Sequence, residues 1–103
     1  MPIVEVTVIP VGTKTTSLSS YVANMQRILE QANESVHYQL TPMSTIIEGE
    51  LPHLLDIVRQ LHESPFTDGA ERVCTTIKID DRRDRPSSME QKMRSVAERL
   101  QSE

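Results

Sequence analysis

Apolar and polar residues alternate along two stretches of the chain, and this alternation predicts two β-strands. In Ile3–Val11, valines occupy one side of the strand, while the other side mixes isoleucines with Glu5 and Thr7. In Arg72–Asp80, valine, threonine and isoleucine again share one side. We expect the valine side of the first strand to face helices and its mixed side to face solvent or another subunit.

Between these strands, the stretch Val36–Glu50 predicts a β-hairpin. Pro42 interrupts the first extended run because proline has no N–H for a strand ladder, and Gly49 ends the second run. The alternation then places Thr45 and Ile47 on one face of the second hairpin strand, and Ile46 and Glu48 on the other.

Helical spacing of apolar residues predicts three helices. The first covers residues 18–33, with Ser17 as its N-cap and Asn33 near its end. The second begins near Pro52 and is expected to end at Pro65. The third follows a Ser87/Glu90 capping box. The apolar stripes of the three helices are Leu18/Val22/Met25/Leu29/Ala32, Leu51/Leu54/Leu55/Val58/Leu61 and Met89/Met93/Val96/Leu100.

The resulting order is βαββαβ with an additional C-terminal helix, within a single domain spanning residues 1–103. Right-handed crossovers turn this order into an α+β sandwich of the ferredoxin-like type, with the first strand between the third and the fourth. Two helices cover one face of such a sheet. The other, which we call the open face, carries Ile3, Ile9 and Ile46, and such a face invites a partner.

Composition narrows the function classes. Only 37% of the 103 residues are hydrophobic and 3% are aromatic, which predicts a thin aliphatic core. The net charge of −4 and the scarcity of aromatic residues argue against nucleic-acid binding. Every apolar run is far shorter than a membrane span. The N-terminal stretch lacks a basic signal-peptide region and Cys74 is the one cysteine, so we expect a cytoplasmic location.

The sequence shows no pattern of catalytic or metal-binding residues. The three histidines lie nine or more residues apart and outside any cluster of cysteine or acidic residues at ligand spacing. Cys74 has no histidine close to it in sequence, which favours a structural thiol over a nucleophile. We therefore expect neither an enzyme nor a bound metal or cofactor. The charged run Asp80–Arg85 is either a solvated turn or, through Asp81, Arg82 and Arg83, a contact between subunits.

Three stretches resemble the small thiamine-binding-protein family. They are IPVGT with SLSSYV in Ile9–Val22, YQLTPMSTIIEGE in Tyr38–Glu50 and ERVCTTIKIDDRRD in Glu71–Asp84. The resemblance runs from Ile3 to about Val96. It implies a ferredoxin-like fold, self-association as a homo-oligomer (a tetramer built as a dimer of dimers) and a small-molecule ligand, either thiamine or its hydroxymethylpyrimidine moiety.

A ligand of this class needs a hydrogen-bonding edge and apolar contacts to its ring faces. We expect it where the hairpin meets the start of the first helix, with hydroxyl groups, soft apolar walls and one carboxylate around the ring. Alternation puts Glu48 opposite Thr45, so Glu48 would have to turn toward the ring or come from another subunit. The candidate ligand-binding residues are Pro10, Ser19, Tyr21, Met43, Ser44, Thr45 and Glu48.

Two other interpretations stay open. The same residues can simply form the hairpin turn and the helix cap, in which case the protein is a structural or regulatory oligomer with a different ligand or none. An enzyme is the third interpretation, and it has the least support because the sequence shows no nucleophile–base pair, metal set or phosphate loop.

Overall fold

The structure, a computed structural model, describes residues 1–12, 19–32, 35–84 and 89–102, with no side-chain description for Ser19 and Ser102. The predicted order is confirmed. Ser17, Leu18, Asn33 and Ser87, which we assigned to helix caps, ends or stripes, lie outside the described residues. The elements are β1 (Ile3–Val11), α1 (Ser19–Gln31), β2 (Val36–Leu40), β3 (Thr45–Gly49), α2 (Leu51–Thr67), β4 (Arg72–Asp80) and α3 (Met89–Ser102).

The four strands form one antiparallel sheet in the order β2-β3-β1-β4, so β1 lies between β3 and β4 as the topology predicts. Cross-strand partners share a face of the sheet. Val4 pairs with Ile47 on the helix-covered face, and Ile3 pairs with Glu48 on the open face. The predicted faces of β1 and β3 are therefore confirmed.

The core lies between the helix-covered face and the two helices α1 and α2, and it is aliphatic. Val4 and Ile47 are fully buried from the sheet side, and Leu29 of α1 and Leu54 of α2 are fully buried from the helix side. Gly49 allows this packing at the end of β3, because an added Cβ would lie 2.9 Å from a side-chain carbon of Val36. The other buried members of this core are Val6, Val36, Ile57, Val58 and Leu61.

The expected end of the second helix at Pro65 is wrong, because α2 continues to Thr67. Pro65 is itself buried. Pro65 has no N–H to donate to the preceding turn, but the residues that follow it still have theirs. The N–H of Asp68 bonds to the carbonyls of Ser64 and Pro65, and the N–H of Ala70 bonds to the carbonyl of Pro65. These bonds satisfy the terminal carbonyls, so the proline lies within the last turns instead of before them.

Helix α3 begins over the open face and carries an exposed apolar stripe. The exposed fractions of Met93, Val96 and Leu100 are 71%, 55% and 69%. The radius of gyration is 15.5 Å, whereas a compact chain of this length has about 13 Å. No helix among the described residues is both long enough and apolar enough to cross a membrane.

Candidate functional site

A cavity of about 280 Å³, which we call the end cavity, lies where α1 meets the turn between β2 and β3. Its floor comes from β1, with Val6 and Val8, and from Leu61 of α2. One wall is α1 and the other is the hairpin. The remaining lining residues are Thr7, Ile9, Val22, Met25, Gln26, Leu40, Thr41, Pro42, Met43, Ser44 and Thr45. The cavity therefore adjoins the hairpin where a ligand is expected, and its α1 wall comes from Val22, Met25 and Gln26; that a ligand binds there stays a prediction.

The hairpin turn is held by the side chain of Thr41. Its hydroxyl donates to the carbonyl of Ser44 at 2.8 Å and accepts from the N–H of Ser44 at 2.9 Å. The N–H of Thr41 also donates to the carbonyl of Ser44 at 2.9 Å. Threonine hydroxyls often close turns in this way. Because these bonds fix the turn, Thr41 shapes the cavity wall while its hydroxyl is already committed.

The hydroxyl groups of Ser44 and Thr45 differ in their hydrogen bonding. The Oγ of Ser44 donates to a carboxylate oxygen of Glu5 at 3.1 Å. Thr45 lies on the helix-covered face opposite Val6 and lines the end cavity. Its side chain makes no hydrogen bond with any residue in the described ranges. Thr45 is therefore the hydroxyl that a ligand in the cavity can use.

Apolar side chains at the rim of the end cavity are unusually exposed. The exposed fractions of Val22, Leu40 and Met43 are 48%, 43% and 83%. Val22 belongs to the apolar stripe of α1, which sequence spacing assigns to the core. Here the first part of that stripe forms the cavity wall, and the stripe reaches the buried core at Leu29. Exposed apolar side chains around a concave surface are typical of a contact site.

The structure brings together only some of the predicted ligand-binding residues. Met43, Ser44 and Thr45 line the end cavity. Pro10 is buried at the end of β1, and Tyr21 is half-buried on α1, but neither lines the cavity. Ser19 begins α1, and its side chain lies outside the described residues.

Glu48 lies on the opposite face of the sheet, where it holds the start of α3. Its side chain is 9% exposed, and its Oε2 accepts a hydrogen bond from the N–H of Met89 at 2.7 Å. The N–H groups of the first helical turn have no partner within the helix, so a carboxylate there satisfies one of them and interacts well with the helix dipole. Within one chain, the carboxylate of Glu48 therefore caps the N-terminus of α3, and it lies on the face of the sheet opposite Thr45.

The polar lining residues Thr7, Gln26 and Thr41 are absent from the predicted ligand-binding residues, and of these Gln26 carries a carboxamide. The available signal was its position four residues after Val22, which puts the two side chains on the same side of α1. A carboxamide carries both a donor and an acceptor. The Nε2 of Gln26 donates to a carboxylate oxygen of Glu30 at 3.4 Å, so what the carboxamide adds to the cavity is its carbonyl oxygen and its second N–H.

The charged residues that follow β4 form ion pairs with close neighbours in sequence. Arg82 bonds to Asp84, and Arg83 bonds to Asp81 at 2.8 Å. These hydrogen bonds to carboxylates raise the pKa of both guanidinium groups above the usual value. Exposed pairs of this kind contribute little to stability. The idea that the run contacts a second subunit stays a prediction.

The described residues offer little for catalysis or metal binding. No group of three or more His, Cys, Asp or Glu side chains within them is arranged to hold a metal ion. His62 bonds through Nδ1 to the hydroxyl of Thr75 at 2.7 Å, and its ring contacts the edge or face of Phe66 at 5.5 Å between centroids. This histidine lies on α2, which packs on β4, so its contacts are those of a packing residue.

Comparison with known proteins gives consistent matches along the chain. A family model described as "Thiamine-binding protein" matches residues 4–97. The UPF0045 protein YqgV of Bacillus subtilis is 52% identical over 103 residues, covering 98% of this chain and 99% of that protein. The crystal structure of a Methanocaldococcus jannaschii protein, MJ1052, superposes with a TM-score of 0.81 at 29% identity, over 94% of this chain and 96% of that one.

A crystal structure from Thermotoga maritima, of a protein whose name refers to thiamine biosynthesis or salvage, also superposes. Its TM-score is 0.75 at 20% identity, over 92% of this chain and 97% of that one. At this identity the match bears on the fold, which is the ferredoxin-like sandwich with its C-terminal helix. The family model and the 52% identical relative together settle the family. The chain belongs to the family of thiamine-binding proteins.

Proposed function

We propose that this protein binds thiamine or its hydroxymethylpyrimidine moiety in the end cavity, without catalysing a reaction, and that it works as a homo-oligomer in the cytoplasm. The single observation that carries the ligand proposal is the end cavity itself, which combines the free hydroxyl of Thr45 with apolar walls. Family membership supplies the ligand class.

The shape and chemistry of the end cavity suit a flat aminopyrimidine. Its volume of about 280 Å³ lies near the lower end of ligand pockets, which span roughly 300–1,000 Å³. Met25 and Met43 offer polarizable thioethers to the faces of a ring. The carboxamide of Gln26 already donates one N–H to Glu30, and its carbonyl oxygen and second N–H can pair with the amine and a ring nitrogen of the ligand. Thr45 can bond to a further polar substituent.

A carboxylate for the ring must come from elsewhere than Glu48 of the same chain. Glu5 lies on the open face and is connected to the cavity rim through the hydroxyl of Ser44. Ser44 precedes β3, at the end of the sheet, where a side chain can reach around the strand. Glu5 is therefore one carboxylate of this chain that can approach the ligand from the cavity rim, and Glu30, which accepts a hydrogen bond from Gln26, is another.

The homo-oligomer part of the proposal is supported by the open face of the sheet. Ile9 is 46% exposed, and Ile3 and Ile46 are partly exposed on the same face. Burial of apolar surface stabilises an association by about 25 cal/mol per Å² before the costs of association. The cytoplasmic part is supported by Cys74, an exposed free thiol of the kind that persists in a reducing compartment.

A second candidate function is a structural or regulatory oligomer without this ligand. The observation that favours it is the exposure of Val22, Leu40 and Met43 at the cavity rim, because such side chains can equally contact a protein. The two candidates differ in whether the folded protein binds the small molecule at all.

The ligand proposal is tested by calorimetric titration of the parent and of Thr45→Val with thiamine and with hydroxymethylpyrimidine. Valine nearly keeps the shape of threonine but leaves a ligand group without its hydrogen bond, which costs on the order of 1–3 kcal/mol of binding free energy. Thr67→Val, on the exposed end of α2, is the matched control and should bind like the parent. Unchanged affinity of Thr45→Val would move the site elsewhere. A folded parent that binds neither compound would overturn the ligand assignment.

The homo-oligomer part is tested separately by light scattering of the parent at micromolar concentration. We expect a mass of at least two chains. A monomer mass would contradict the assembly while leaving the ligand titration interpretable.

A further inference from the structure

The end cavity is lined by uncharged side chains, but a carboxylate is bonded to each of its two walls. Within the described ranges, none of the lining residues carries a charge. On the hairpin side, the Oγ of Ser44 donates to Oε2 of Glu5 at 3.1 Å. On the α1 side, the Nε2 of Gln26 donates to Oε1 of Glu30 at 3.4 Å. Two negative charges therefore lie one hydrogen bond away from the cavity lining.

The cations of the neighbouring elements are not bonded to the cavity in this way. In the part of the chain that the structure describes, Lys78 lies opposite Glu5 on β4 but forms no ion pair with it. Arg27 of α1 donates to Asn24, and the amide of Asn24 donates to Asp68 at the end of α2. Arg27 is therefore engaged where α1 meets the end of α2. The charged groups that bond to the described lining residues are the two carboxylates.

This arrangement of charge bears on which chemical form of the ligand fits. Hydroxymethylpyrimidine is a neutral alcohol, and thiamine is an alcohol with a permanent positive charge on its second ring. A phosphate ester of either alcohol adds about −1.5 to −2 charges at pH 7. The cavity holds only about 280 Å³, so a phosphate attached to a bound ligand would reach the rim, beside Ser44 and its carboxylate partner. Like charges that close together oppose binding.

We propose that the end cavity selects the unphosphorylated form of its ligand and rejects the phosphate esters, with Glu5 and Glu30 as the residues that determine this specificity. This inference rests on the ligand part of the proposed function. It narrows the ligand class to an aminopyrimidine whose alcohol group is free.

The two carboxylates are held in place by the elements that carry them. Glu5 lies on β1, which has a strand on either side in the sheet. Glu30 follows Gln26 by four residues on α1, the spacing at which helical side chains meet. Both carboxylates are exposed, so water and salt screen them, and the selectivity they give is moderate and depends on ionic strength.

Calorimetric titration of the parent with thiamine and with thiamine monophosphate tests the selection. We expect the dissociation constant of the phosphate ester to be about tenfold higher at low salt. O-acetylthiamine is the control for size, because its ester adds bulk without negative charge, and it should bind more tightly than the phosphate. The titration uses the whole chain and so includes the charge of Lys14, which lies outside the described residues.

Removal of the two charges assigns the selection to its residues. In the double variant Glu5→Gln with Glu30→Gln, the ratio of the two dissociation constants should fall toward one. The ratio is informative even if the variant binds both compounds more weakly, because a common loss of affinity cancels. Glu98→Gln is the matched control, since it makes the same kind of change on α3, which contributes none of the described lining residues, and should keep the parent ratio.

The dependence on salt gives an independent measurement. The Debye length falls from about 10 Å at 0.1 M salt to about 3 Å at 1 M. The ratio of dissociation constants for the parent should therefore shrink as the salt concentration rises, while the double variant should show little change. A parent ratio that is the same at both concentrations would contradict selection by charge.

The outcomes separate this proposal from the proposed function. If thiamine binds and its monophosphate binds equally well, the selection is wrong and the ligand proposal stands. If O-acetylthiamine is rejected as strongly as the phosphate, or if the double variant keeps the parent ratio, the two carboxylates do not determine the specificity. If the folded parent binds none of the compounds, the ligand proposal fails and the selection fails with it.

Discussion

Substitution of Glu48 should release α3 from the sheet while leaving the core intact. Glu48 is a buried carboxylate of β3, and its Oε2 accepts from the N–H of Met89 at the start of α3. The predicted change is Glu48→Ala, with Glu48→Gln as the variant that keeps an acceptor oxygen and loses the charge. Glu50→Ala is the matched control, because Glu50 is exposed and makes no side-chain capping bond to α2.

The expected loss of stability follows from the hydrogen bond between Glu48 and the N–H of Met89. Loss of a helix N-cap costs about 0.5–2 kcal/mol, and a hydrogen bond to a charged group contributes about 1.5–3 kcal/mol. These terms describe the same bond and do not add, so we expect about 1–2 kcal/mol for Glu48→Ala. The 9% exposure of Glu48 means that its carboxylate is already desolvated, which offsets part of the gain. Glu48→Gln should lose less, because only the interaction of the charge with the helix dipole disappears.

Hydrogen exchange of backbone amides is the appropriate assay, because it reports α3 and the core separately. A loss of 1.4 kcal/mol corresponds to about tenfold faster exchange through local opening. We expect this acceleration in α3 of Glu48→Ala, a smaller one in Glu48→Gln and none in Glu50→Ala. Unchanged α3 exchange in Glu48→Ala would refute the capping role. Equal acceleration in β1 would show instead that Glu48 supports the whole fold.

Three further predictions concern the packing and the charges. Gly49→Ala should destabilise the fold by about 1–3 kcal/mol in denaturant unfolding, because its Cβ would contact β2 at 2.9 Å. Lys92→Ala should raise the pKa of Asp80 toward 3.8 in an NMR titration, because the hydrogen bond from Lys92 lowers this pKa. The stability that the pair contributes is fully present above the pKa that Asp80 has in the unfolded chain. It is lost as the pH falls through the lower pKa of Asp80 in the folded chain. Arg82→Ala with Arg83→Ala should weaken assembly, more so at low salt, and equal masses in light scattering at every salt concentration would mean that the run is merely solvated.

Alternation along the strands predicts most of this fold. It assigns both faces of β1 and β3, and with right-handed crossovers it yields the observed strand order. Local patterns are less reliable at the end of α2, where Pro65 lies inside the last turns. On β4 alternation assigns Ile77 and Ile79 to one face but does not show that they stay 45% and 46% exposed, because they belong to an edge strand that α2 covers only in part.

Only part of the candidate site can be predicted from the sequence, because local patterns do not show how the elements pack on one another. The turn residues Met43, Ser44 and Thr45 are recognisable because a proline and a cluster of hydroxyls mark the hairpin. Gln26 is missed because a polar residue on a helix is ordinarily a solvent-facing one. Its place in the end cavity depends on how α1 crosses the hairpin, and that relation joins residues far apart in sequence.

The position of Glu48 limits how any ligand can be held. Thr45 and Glu48 belong to the same strand at odd spacing, so their side chains point to opposite faces, and no rotamer of either brings both to one ring. The first turn of α3 also occupies Glu48. A carboxylate that acts together with Thr45 must therefore be one other than Glu48. Glu5, through Ser44, and Glu30, through Gln26, each bond to a residue that lines the end cavity, and another chain is a further source. Glu5→Gln and Glu30→Gln separate these cases in a calorimetric titration. The variant whose carboxylate supplies the charge should bind hydroxymethylpyrimidine more weakly, and parent-like affinity of both variants would direct the search to the second subunit.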